Sequence, residues 1–598
     1  MRRRTRWVSA AFWLVCALGV AAGGGQTAHA APPEPPKQAT ATGSGGAAAT
    51  VDALATEAAL GILDRGGNAV DAAVAAAAVL GVVEPYSCGI GGGGFMLVYD
   101  AANRTVTTID GRETAPGAYT PTTLEGIPFA EAVTSGLGVG VPGTLRTWEA
   151  ALDRFGTMKL QRLLAPAKSL AAGGFTVDQT FHDQTAANAA RFSKFTSTSA
   201  LFLPGGEAPA VGSRFRNPAL AKTYAQIGSG PDSFYRGKIA AAIVDAVRTP
   251  PTEPGVTDVR PGLMTLADLA AYTAPFRAPT RVGYRGLDVY GMGPPSSGGS
   301  TVGEALNILE GFDLGGLPRE QALHYYLEAS ALAFADRGVY LGDPDFVSIP
   351  LAGLLSDSFA AERRALIGPT TGVPYAAGDP TDNEGESTTH LTVSDRWGNV
   401  VSYTFTIEQT GGSGIVVPGY GFLLNNELTD FDFAPGRANS PAGHKRPRSS
   451  MSPTIVLRDG RPYLAVGSPG GSTIITTVLQ ILVNKIDFGL TLPEAIAAPR
   501  ASQRNTTSVS AEPGFIVSPE AAALAARGHR FASTPEIGAA TGIGFLPTGF
   551  IVAAAEPIRR GGGSAMVQEP SGLVSGSVKA KASGPKKASG PKKQKAGR

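Results

Sequence analysis

The spacing of apolar residues changes from a helical to a strand pattern near residue 388. Before it, apolar residues recur at helical intervals in residues 54–83, in LRTWEAALDRF and in QALHYYLEASALAFADR. After it, strand patterns predominate, with helices predicted at 474–484 and 518–527. No long linker divides the two parts, so the chain is predicted to fold as one continuous α+β unit.

Residues 1–30 are predicted to be a signal peptide. A basic MRRRTR precedes an apolar stretch, and Ala28-His29-Ala30 supplies the small residues that a signal peptidase requires. The protein is therefore expected to be secreted or periplasmic, with an uncleaved membrane anchor as the alternative. Residues 31–48 are predicted to be a linker. Removing the signal leaves Cys88 as the sole cysteine, which excludes an internal disulfide.

Residues 571–598 are predicted to form a disordered, Lys-rich tail, because its repeated ASGPKK contains nothing that packs a core. The simpler interpretation is that this tail keeps the protein soluble. The more specific one is that it makes a weak contact with an anionic envelope polymer. Without the signal and tail charges, 39 basic residues face 49 acidic ones. An acidic body argues against a nucleic acid partner.

The sequence argues against a dinucleotide-binding site and against a metal site. Gly89, Gly91 and Gly94 satisfy G-x-G-x-x-G, but a helix is predicted before them and a strand after them, the reverse of a dinucleotide-binding turn. The six histidines are scattered, and none pairs with another at a metal-ligand spacing. The sequence therefore predicts no metal site.

The stretch EGESTTH (384–390) joins a loop rich in Gly, Pro and Asp directly to a predicted β-hairpin. A threonine becomes an effective nucleophile when it is N-terminal, because its own α-amine then serves as the base. Thr388 stands where such a terminus would be generated; the alternative is an ordinary β-branched strand residue. A hairpin turn centred on Trp397 places Thr388 opposite Thr406, whose hydroxyl would orient the nucleophile.

Gly470 and Gly471 precede an apolar helix predicted to begin near Ser472. The first N–H groups of a helix have no partner within it, and glycine allows a substrate to approach them. This arrangement suits an oxyanion hole.

Other polar residues fit a pocket for an α-amino acid head group. Arg112 offers a two-pronged contact to a carboxylate, and Ser449 and Ser450 add hydroxyl donors. Glu427 and Asp430 supply acceptors for an ammonium group. Each of these residues is equally compatible with a surface ion pair when it is considered alone.

Eight motifs in order resemble those of the γ-glutamyltransferases (γ-glutamyl transpeptidases), members of the N-terminal-nucleophile hydrolase superfamily. The resemblance spans about residues 54–554 and rests on GGNAVDAAVA, GIGGGGFML, PPSSGG, ADRGVYLGDPDF, TTH, LLNNELTDF, RPRSSMSPTIV and GSPGGS. It implies a four-layer αββα sandwich. It also implies a precursor that cuts itself between Ser387 and Thr388 into a large subunit (49–387) and a small subunit (388–570), which remain together as a heterodimer.

The resemblance also implies residue roles and the absence of a cofactor or catalytic metal. The implied roles are Thr388 as nucleophile and base, Thr406 as its support, Gly470 and Gly471 as the oxyanion hole, Arg112, Ser449 and Ser450 as the carboxylate clamp, and Glu427 and Asp430 as the amine acceptors. Glu408 is a departure, since many members have Asn there. A third carboxylate can bind an ammonium, but it leaves open the donor and the balance between hydrolysis and transfer.

The predicted function is transfer of γ-glutamyl groups from glutathione or related amides to water or to an amino acid or peptide acceptor. A second hypothesis keeps the scaffold and changes the acyl group, as in a cephalosporin acylase or an amidase that tailors a secondary metabolite. A third is an inactive homologue that binds envelope polymer.

Overall fold

The computed structural model describes residues 34–376 and 388–570, and these ranges contain a large β-sheet covered by helices. The predicted signal peptide, the tail from residue 571 and Ser387 of the predicted cleavage site lie outside the described residues. The strands are β1 (Thr40–Thr50), β2 (Gly93–Asp100), β3 (Thr105–Gly111), β4 (Phe175–Thr176), β5 (Arg214–Phe215), β6 (Phe276–Arg277), β7 (Thr280–Tyr284), β8 (Leu287–Gly291), β9 (Thr389–Ser394), β10 (Val400–Thr406), β11 (Thr454–Arg458), β12 (Arg461–Gly467), β13 (Ala501–Ser502), β14 (Val509–Ala511), β15 (Phe531–Ser533), β16 (Thr541–Phe545), β17 (Ile551–Ala555) and β18 (Ser564–Pro570).

The helices are concentrated before residue 365, as the apolar spacing predicts. They are α1 (Ala53–Asp64), α2 (Ala69–Val83), α3 (Phe129–Val133), α4 (Thr144–Phe155), α5 (Leu160–Leu163), α6 (Ala165–Gly173), α7 (Gln179–Phe192), α8 (Thr196–Phe202), α9 (Pro218–Gly228), α10 (Asp232–Arg236), α11 (Lys238–Arg248), α12 (Leu266–Ala271), α13 (Gly298–Glu310), α14 (Arg319–Tyr340), α15 (Leu351–Leu354), α16 (Asp357–Arg364), α17 (Thr473–Ile486), α18 (Leu492–Ala497), α19 (Pro513–Ile516) and α20 (Pro519–Ala526). Short 3-10 turns occur at Pro204–Gly206, Glu427–Asp430 and Arg559–Gly561. The mixture of helices and strands confirms the α+β prediction.

The main sheet runs in the order β6-β3-β2-β10-β9-β1-β17-β16-β12-β11-β8-β7, and β18 pairs with β1 beside this path. The sheet does not stay flat, since β9 lies against β16 and β10 against β12. Helix α2 packs on β9 and β10, whereas α13 packs on β7 and β8 and α17 on β12. The two largest apolar cores of the described residues lie under α2 and under α13, α14 and α17.

The β9–β10 hairpin has the predicted register. Thr389 pairs with Phe405 and Ser394 with Val400, so the turn is centred on Trp397. One carboxylate oxygen of Asp395 fixes this turn by accepting hydrogen bonds from the N–H groups of Trp397 and Asn399, at 2.9 and 3.0 Å. The hairpin therefore delivers Thr388 to a defined position beside the end of β10.

The predicted linker at 31–48 is wrong from Thr40 onward, because β1 begins there and lies inside the main sheet. Its sequence, TATGSGGAAAT, lacks the large β-branched residues that usually mark a strand. Small residues are needed here because the neighbouring backbones are close: a Cβ atom on Gly43 would lie 2.1 Å from the carbonyl oxygen of Glu569. Ala47, Ala48 and Ala49 are completely buried.

The glycine-rich turn at 89–94 connects α2 to β2, as predicted, and serves close packing of the backbone. A Cβ atom on Gly91 would lie 2.0 Å from the carbonyl oxygen of Leu423, and one on Gly94 would lie 2.4 Å from that of Thr404. These contacts give the glycines a reason that is independent of any nucleotide.

Among the described helices, none combines the length and the hydropathy that crossing a membrane requires.

Candidate active site

Thr388 directly precedes β9 and is buried, with 3% of its surface exposed. Its Oγ1 is 3.4 Å from Oγ1 of Thr406, at the end of β10. Oγ1 of Thr406 also accepts a hydrogen bond of 2.8 Å from the N–H of Glu408. The predicted pairing of the two threonines is thus present in the structure.

Arg560 fixes the backbone of Thr388. Its guanidinium donates a 2.8 Å hydrogen bond from Nη1 to the carbonyl oxygen of Thr388. Arg560 has φ of 54°, in the left-handed region that residues other than glycine rarely adopt. The neighbouring Arg559 is held by the carboxylates of Glu512 and Glu556. Arg560 was not predicted from the sequence, although its motif, IRRGGG, pairs two arginines with a glycine turn.

His390 completes the TTH motif but does not contact the hydroxyl of Thr388 within the described residues. Its ring hydrogen-bonds to Thr404 through Nδ1 (2.8 Å) and to Thr392 through Nε2 (3.1 Å). Complete burial lowers the pKa of His390 to about 3. A neutral, fully engaged imidazole does not provide the general base for Thr388.

This buried histidine predicts a pH dependence of stability. The unfolded chain takes up a proton on His390 below about pH 6.5, whereas the folded protein does so only near pH 3. Its effect on stability is therefore absent above pH 6.5, and it destabilises the folded state progressively as the pH falls toward 3. Between pH 6 and pH 5, the free energy of unfolding should fall by about 1 kcal/mol through this residue.

The test is the melting temperature Tm at pH 7, 6 and 5. His390→Gln retains polar groups for Thr392 and Thr404 without a titrating ring, so its Tm should fall less on acidification than that of the wild type. His182→Gln, at a half-buried position, is the matched control and should behave like the wild type. Equal acid sensitivity in the wild type and in His390→Gln would contradict the assignment.

Arg112, at the end of β3, is completely buried and forms ion pairs with Glu427 and Asp430. It also donates hydrogen bonds to the carbonyl oxygens of Pro447 (3.1 Å, from Nε) and Arg448 (2.9 Å, from Nη2). Although burial opposes the charged form, the two carboxylates raise the pKa of Arg112 above its ordinary value. The guanidinium is therefore charged and faces the acids predicted to accept an ammonium.

Ser449 and Ser450 are positioned by residues that precede Thr388 in the chain. The carbonyl oxygen of Ser449 accepts hydrogen bonds from the N–H and Oγ of Ser297, at 2.7 and 2.6 Å. The fully buried Arg337 donates to Oγ of Ser450 from Nη2 and to Oγ of Ser297 from Nε, both at 2.8 Å. No role was predicted for Arg337 from the sequence, although it belongs to the ADRGVYLGDPDF motif.

Glu113 is a third residue that was not predicted from the sequence, although it adjoins Arg112 in IDGRETAP. It is completely buried, and neither of its carboxylate oxygens has a hydrogen-bond partner among the described residues. Burial, reinforced by the charge of Glu427, raises the pKa of Glu113 well above its ordinary value. Burial therefore favours the neutral form of Glu113, which would limit the negative charge near Glu427.

Gly470 and Gly471 form the turn before α17, which begins at Thr473, one residue from the predicted start. Both have positive φ, 133° and 55°, so any side chain there is strained. Within the described residues, neither N–H group donates a hydrogen bond, whereas the carbonyl oxygen of Gly470 accepts one from the N–H of Thr473 (3.1 Å). Two donors are thus available at the edge of the site.

Nine of the ten residues predicted for catalysis and substrate binding line one narrow cavity. The tenth, Gly470, directly precedes the lining residue Gly471 in the chain. The lining comprises Arg112, Thr388, Thr406, Glu408, Glu427, Asp430, Ser449, Ser450, Met451, Gly471 and Ile474. The hydroxyl of Thr388, the N–H of Gly471 and a charged pocket therefore lie in one cavity, with the N–H of Gly470 beside it. This combination can bind the zwitterionic end of a substrate. It can also hold a bond further along the same substrate against the hydroxyl of Thr388. The individual roles of these residues remain predictions.

Comparisons with known proteins agree with this chemistry. The sequence model of the family described as Gamma-glutamyltranspeptidase matches residues 55–566. The chain is 41% identical over 537 residues to the glutathione hydrolase proenzyme of Bacillus subtilis (strain 168), covering 85% of this chain and 89% of that protein. It is 39% identical over 529 residues to the acylase ACY 1 proenzyme of Pseudomonas sp. (strain V22), covering 86% and 92%.

A solved structure shows the same relationship in three dimensions. The cephalosporin acylase from Bacillus halodurans matches with a TM-score of 0.81 and 31% sequence identity, covering 91% of this chain and 99% of that one. The family match includes every motif on which the resemblance rests, from GGNAVDAAVA to GSPGGS.

Proposed function

The chain belongs to the gamma-glutamyltranspeptidase family, and we propose that it removes the γ-glutamyl group from glutathione and related γ-glutamyl amides. Water or an amino acid or peptide then accepts the group. The observation that carries this proposal is the pairing of Arg112 with Glu427 and Asp430 in the cavity that contains Thr388.

These charged groups match the α-amino acid end of a γ-glutamyl donor. Its α-carboxylate would bind the guanidinium of Arg112, with hydroxyl donors from Ser449 and Ser450. Its α-ammonium would bind Glu427 and Asp430. The donor therefore inserts between Arg112 and these two acids, which pair with each other when no donor is bound. Because burial strengthens such charge-assisted contacts, a donor that lacks either group should be bound much less well.

The reaction is an acyl transfer through an ester on Thr388. Its Oγ1 attacks the γ-carbonyl carbon while its freed α-amine takes the proton, and the N–H groups of Gly470 and Gly471 stabilise the negative oxygen. The amide C–N bond breaks, and the leaving amine receives the proton. Water or an acceptor amine then attacks the ester and restores the hydroxyl.

This chemistry requires cleavage between Ser387 and Thr388, which is part of the proposal. The printed names of both relatives include the word proenzyme, which supports processing into a large and a small subunit. The finer fold proposal is a four-layer αββα sandwich, supported by the contacts of β9 and β10 with β16 and β12 and by helices on either side. Export through residues 1–30 is likewise proposed from the sequence; envelope contact through the tail has no further support.

An acylase is the second candidate, because one relative and one solved structure carry that name. A pair of chromogenic anilides separates the two functions, since a glutaryl group is a γ-glutamyl group without its α-amine. The proposal expects the γ-glutamyl anilide to be the better substrate by roughly ten- to 150-fold in kcat/KM, the value of a buried charge-assisted contact. Faster turnover of the glutaryl anilide would identify an acylase.

The same pair of substrates tests Asp430, whose carboxylate contacts Arg112. Asp430→Asn should lower kcat/KM for the γ-glutamyl anilide and leave the glutaryl anilide nearly unaffected, because only the first substrate brings an ammonium. The preference between the two substrates should therefore shrink. Equal losses on both substrates would show that Asp430 acts through the pocket structure rather than on the ammonium.

Glu408 is expected to influence the fate of the acyl group. It lies in the cavity wall, with φ of 75° and its N–H bonded to Thr406, which contacts the nucleophile. Glu408→Asn removes one of three carboxylates and should alter the ratio of transfer to hydrolysis while keeping γ-glutamyl donors. The ratio is measured with a γ-glutamyl anilide with and without a dipeptide acceptor. γ-Glutamyl activity that appears only in the variant would favour the acylase hypothesis.

A further inference from the structure

A cluster outside the cavity brings together His324, Glu328 and His529, which the sequence spacing does not connect. His324 and Glu328 lie one turn apart on α14 and project from the same face, and His529 follows α20. Nδ1 of His324 is 2.8 Å from Nε2 of His529, which is 3.9 Å from Oε1 of Glu328. All three residues are buried, and one ligand atom from each lies within 4.8 Å of the others.

The surrounding groups orient this cluster. Nε2 of His324 lies 2.8 Å from the carbonyl oxygen of Gly368, so it carries the proton, and Nδ1 directs its lone pair into the cluster. Oε1 of Glu328 accepts from the hydroxyl of Thr371 and Oε2 from the N–H of Gly372, both at 2.8 Å. A histidine whose second nitrogen is tied to a carbonyl, beside a hydrogen-bonded carboxylate, is the usual surrounding of a metal ion.

In the part of the chain that the structure describes, no side chain of fixed positive charge lies beside the carboxylate of Glu328. Among the described residues, no Lys or Arg nitrogen lies within 4.0 Å of its carboxylate, and His529 at 3.9 Å is its sole ion-pair partner. Buried charges in proteins are normally paired with an opposite charge or bound to a metal. A divalent cation between the three ligand atoms would supply that charge.

We propose that His324, Glu328 and His529 form a binding site for a divalent cation of the zinc class. Two imidazole nitrogens and one carboxylate oxygen suit zinc, with water as the fourth ligand. Binding releases to solvent the proton that Nε2 of His529 donates to Nδ1 of His324 in the metal-free protein. Tetrahedral binding at usual zinc–nitrogen distances separates two nitrogens by about 3.4 Å, so the 2.8 Å pair opens by about half an ångström on binding.

The position of the site suggests that the cation links two parts of the chain. His324 and Glu328 precede residue 388, whereas His529 follows it, so the cation joins the two segments that the proposed cleavage separates. Glu328 also receives hydrogen bonds from Thr371, Gly372 and Tyr375 in the run that leads toward the cleavage position. The metal would hold the end of the large subunit to the small one.

The test is the zinc content of the whole protein. Protein treated with a chelator and desalted is exposed to zinc chloride, desalted again and analysed by mass spectrometry. The wild type and His182→Ala, whose histidine lies outside the cluster, should retain about one equivalent of zinc. His529→Gln and Glu328→Gln should retain almost none. Zinc should also raise the Tm of the wild type by roughly 2–5 °C without changing that of the variants.

Circular dichroism of the zinc-free proteins checks that each variant is folded, and cobalt-loaded wild-type protein provides a second readout through its visible absorption. A d–d spectrum of tetrahedral cobalt that is absent in His529→Gln supports the site even where a variant is less stable. Wild-type protein that retains no more zinc than His529→Gln would reduce the cluster to a hydrogen-bond network. Equal retention by all variants would place the bound metal elsewhere. Either result overturns the proposal.

Discussion

Thr388→Ala is expected to yield one uncut polypeptide with no measurable turnover. The hydroxyl of Thr388 serves twice in the proposed chemistry, first on the bond after Ser387 and then on the donor. Removing the nucleophile of a hydrolase costs on the order of 10⁶-fold in kcat. The wild type, after signal removal, should appear on a denaturing gel as chains of 357 and 211 residues (31–387 and 388–598).

N-terminal sequencing of the smaller chain provides the decisive measurement, and it should read TTHLTVS. Thr388→Ser keeps a hydroxyl and should still cleave, more slowly. Thr389→Val is the matched control: Thr389 is equally buried, and its hydroxyl has no partner among the described residues. This variant should be processed like the wild type. A smaller chain that starts at any other residue would refute the assignment of Thr388.

Those parts of the site that depend on local geometry were predictable from the sequence. The hairpin register follows from one turn, because pairing in a two-stranded ribbon is fixed once its turn is known. That register placed Thr388 beside Thr406, and the glycine pair before an apolar stretch predicted the start of α17. The grouping of Arg112 with two acids came from the complementary charges of a zwitterion.

Parts that depend on contacts distant in the chain were not predictable. Arg560 reaches Thr388, and Arg337 reaches Ser450, across more than a hundred residues each. Their local motifs, IRRGGG and ADRGVYLGDPDF, do not indicate which distant residue each arginine contacts. The strand β1 was missed because its position between close neighbours selects small residues, which in a single sequence look like a linker. Likewise, His324 and His529 meet only because α14 and α20 pack together.

Arg112→Lys is expected to lower kcat/KM for a γ-glutamyl anilide by roughly ten- to 150-fold, although the charge is kept. An ammonium cannot form the planar two-pronged contact with a carboxylate that a guanidinium forms. The variant also loses hydrogen bonds to the carbonyl oxygens of Pro447 and Arg448, so the introduced lysine would hold the pocket less firmly. Self-cleavage should persist, since it needs Thr388 and no bound amino acid, and a gel of the processed chains checks this.

Comparing the two anilides distinguishes a carboxylate clamp from general damage to the pocket. Both the γ-glutamyl and the glutaryl group present a carboxylate to Arg112, so Arg112→Lys should slow both substrates by similar factors, whereas Asp430→Asn slows only the first. Arg285→Lys is the matched control, because Arg285 also bonds carboxylates and carbonyl oxygens but lies outside the cavity. It should lower Tm and leave kcat/KM unchanged. If Arg112→Lys affects only the γ-glutamyl substrate, the guanidinium acts by holding Glu427 and Asp430 in place, and another group must bind the carboxylate.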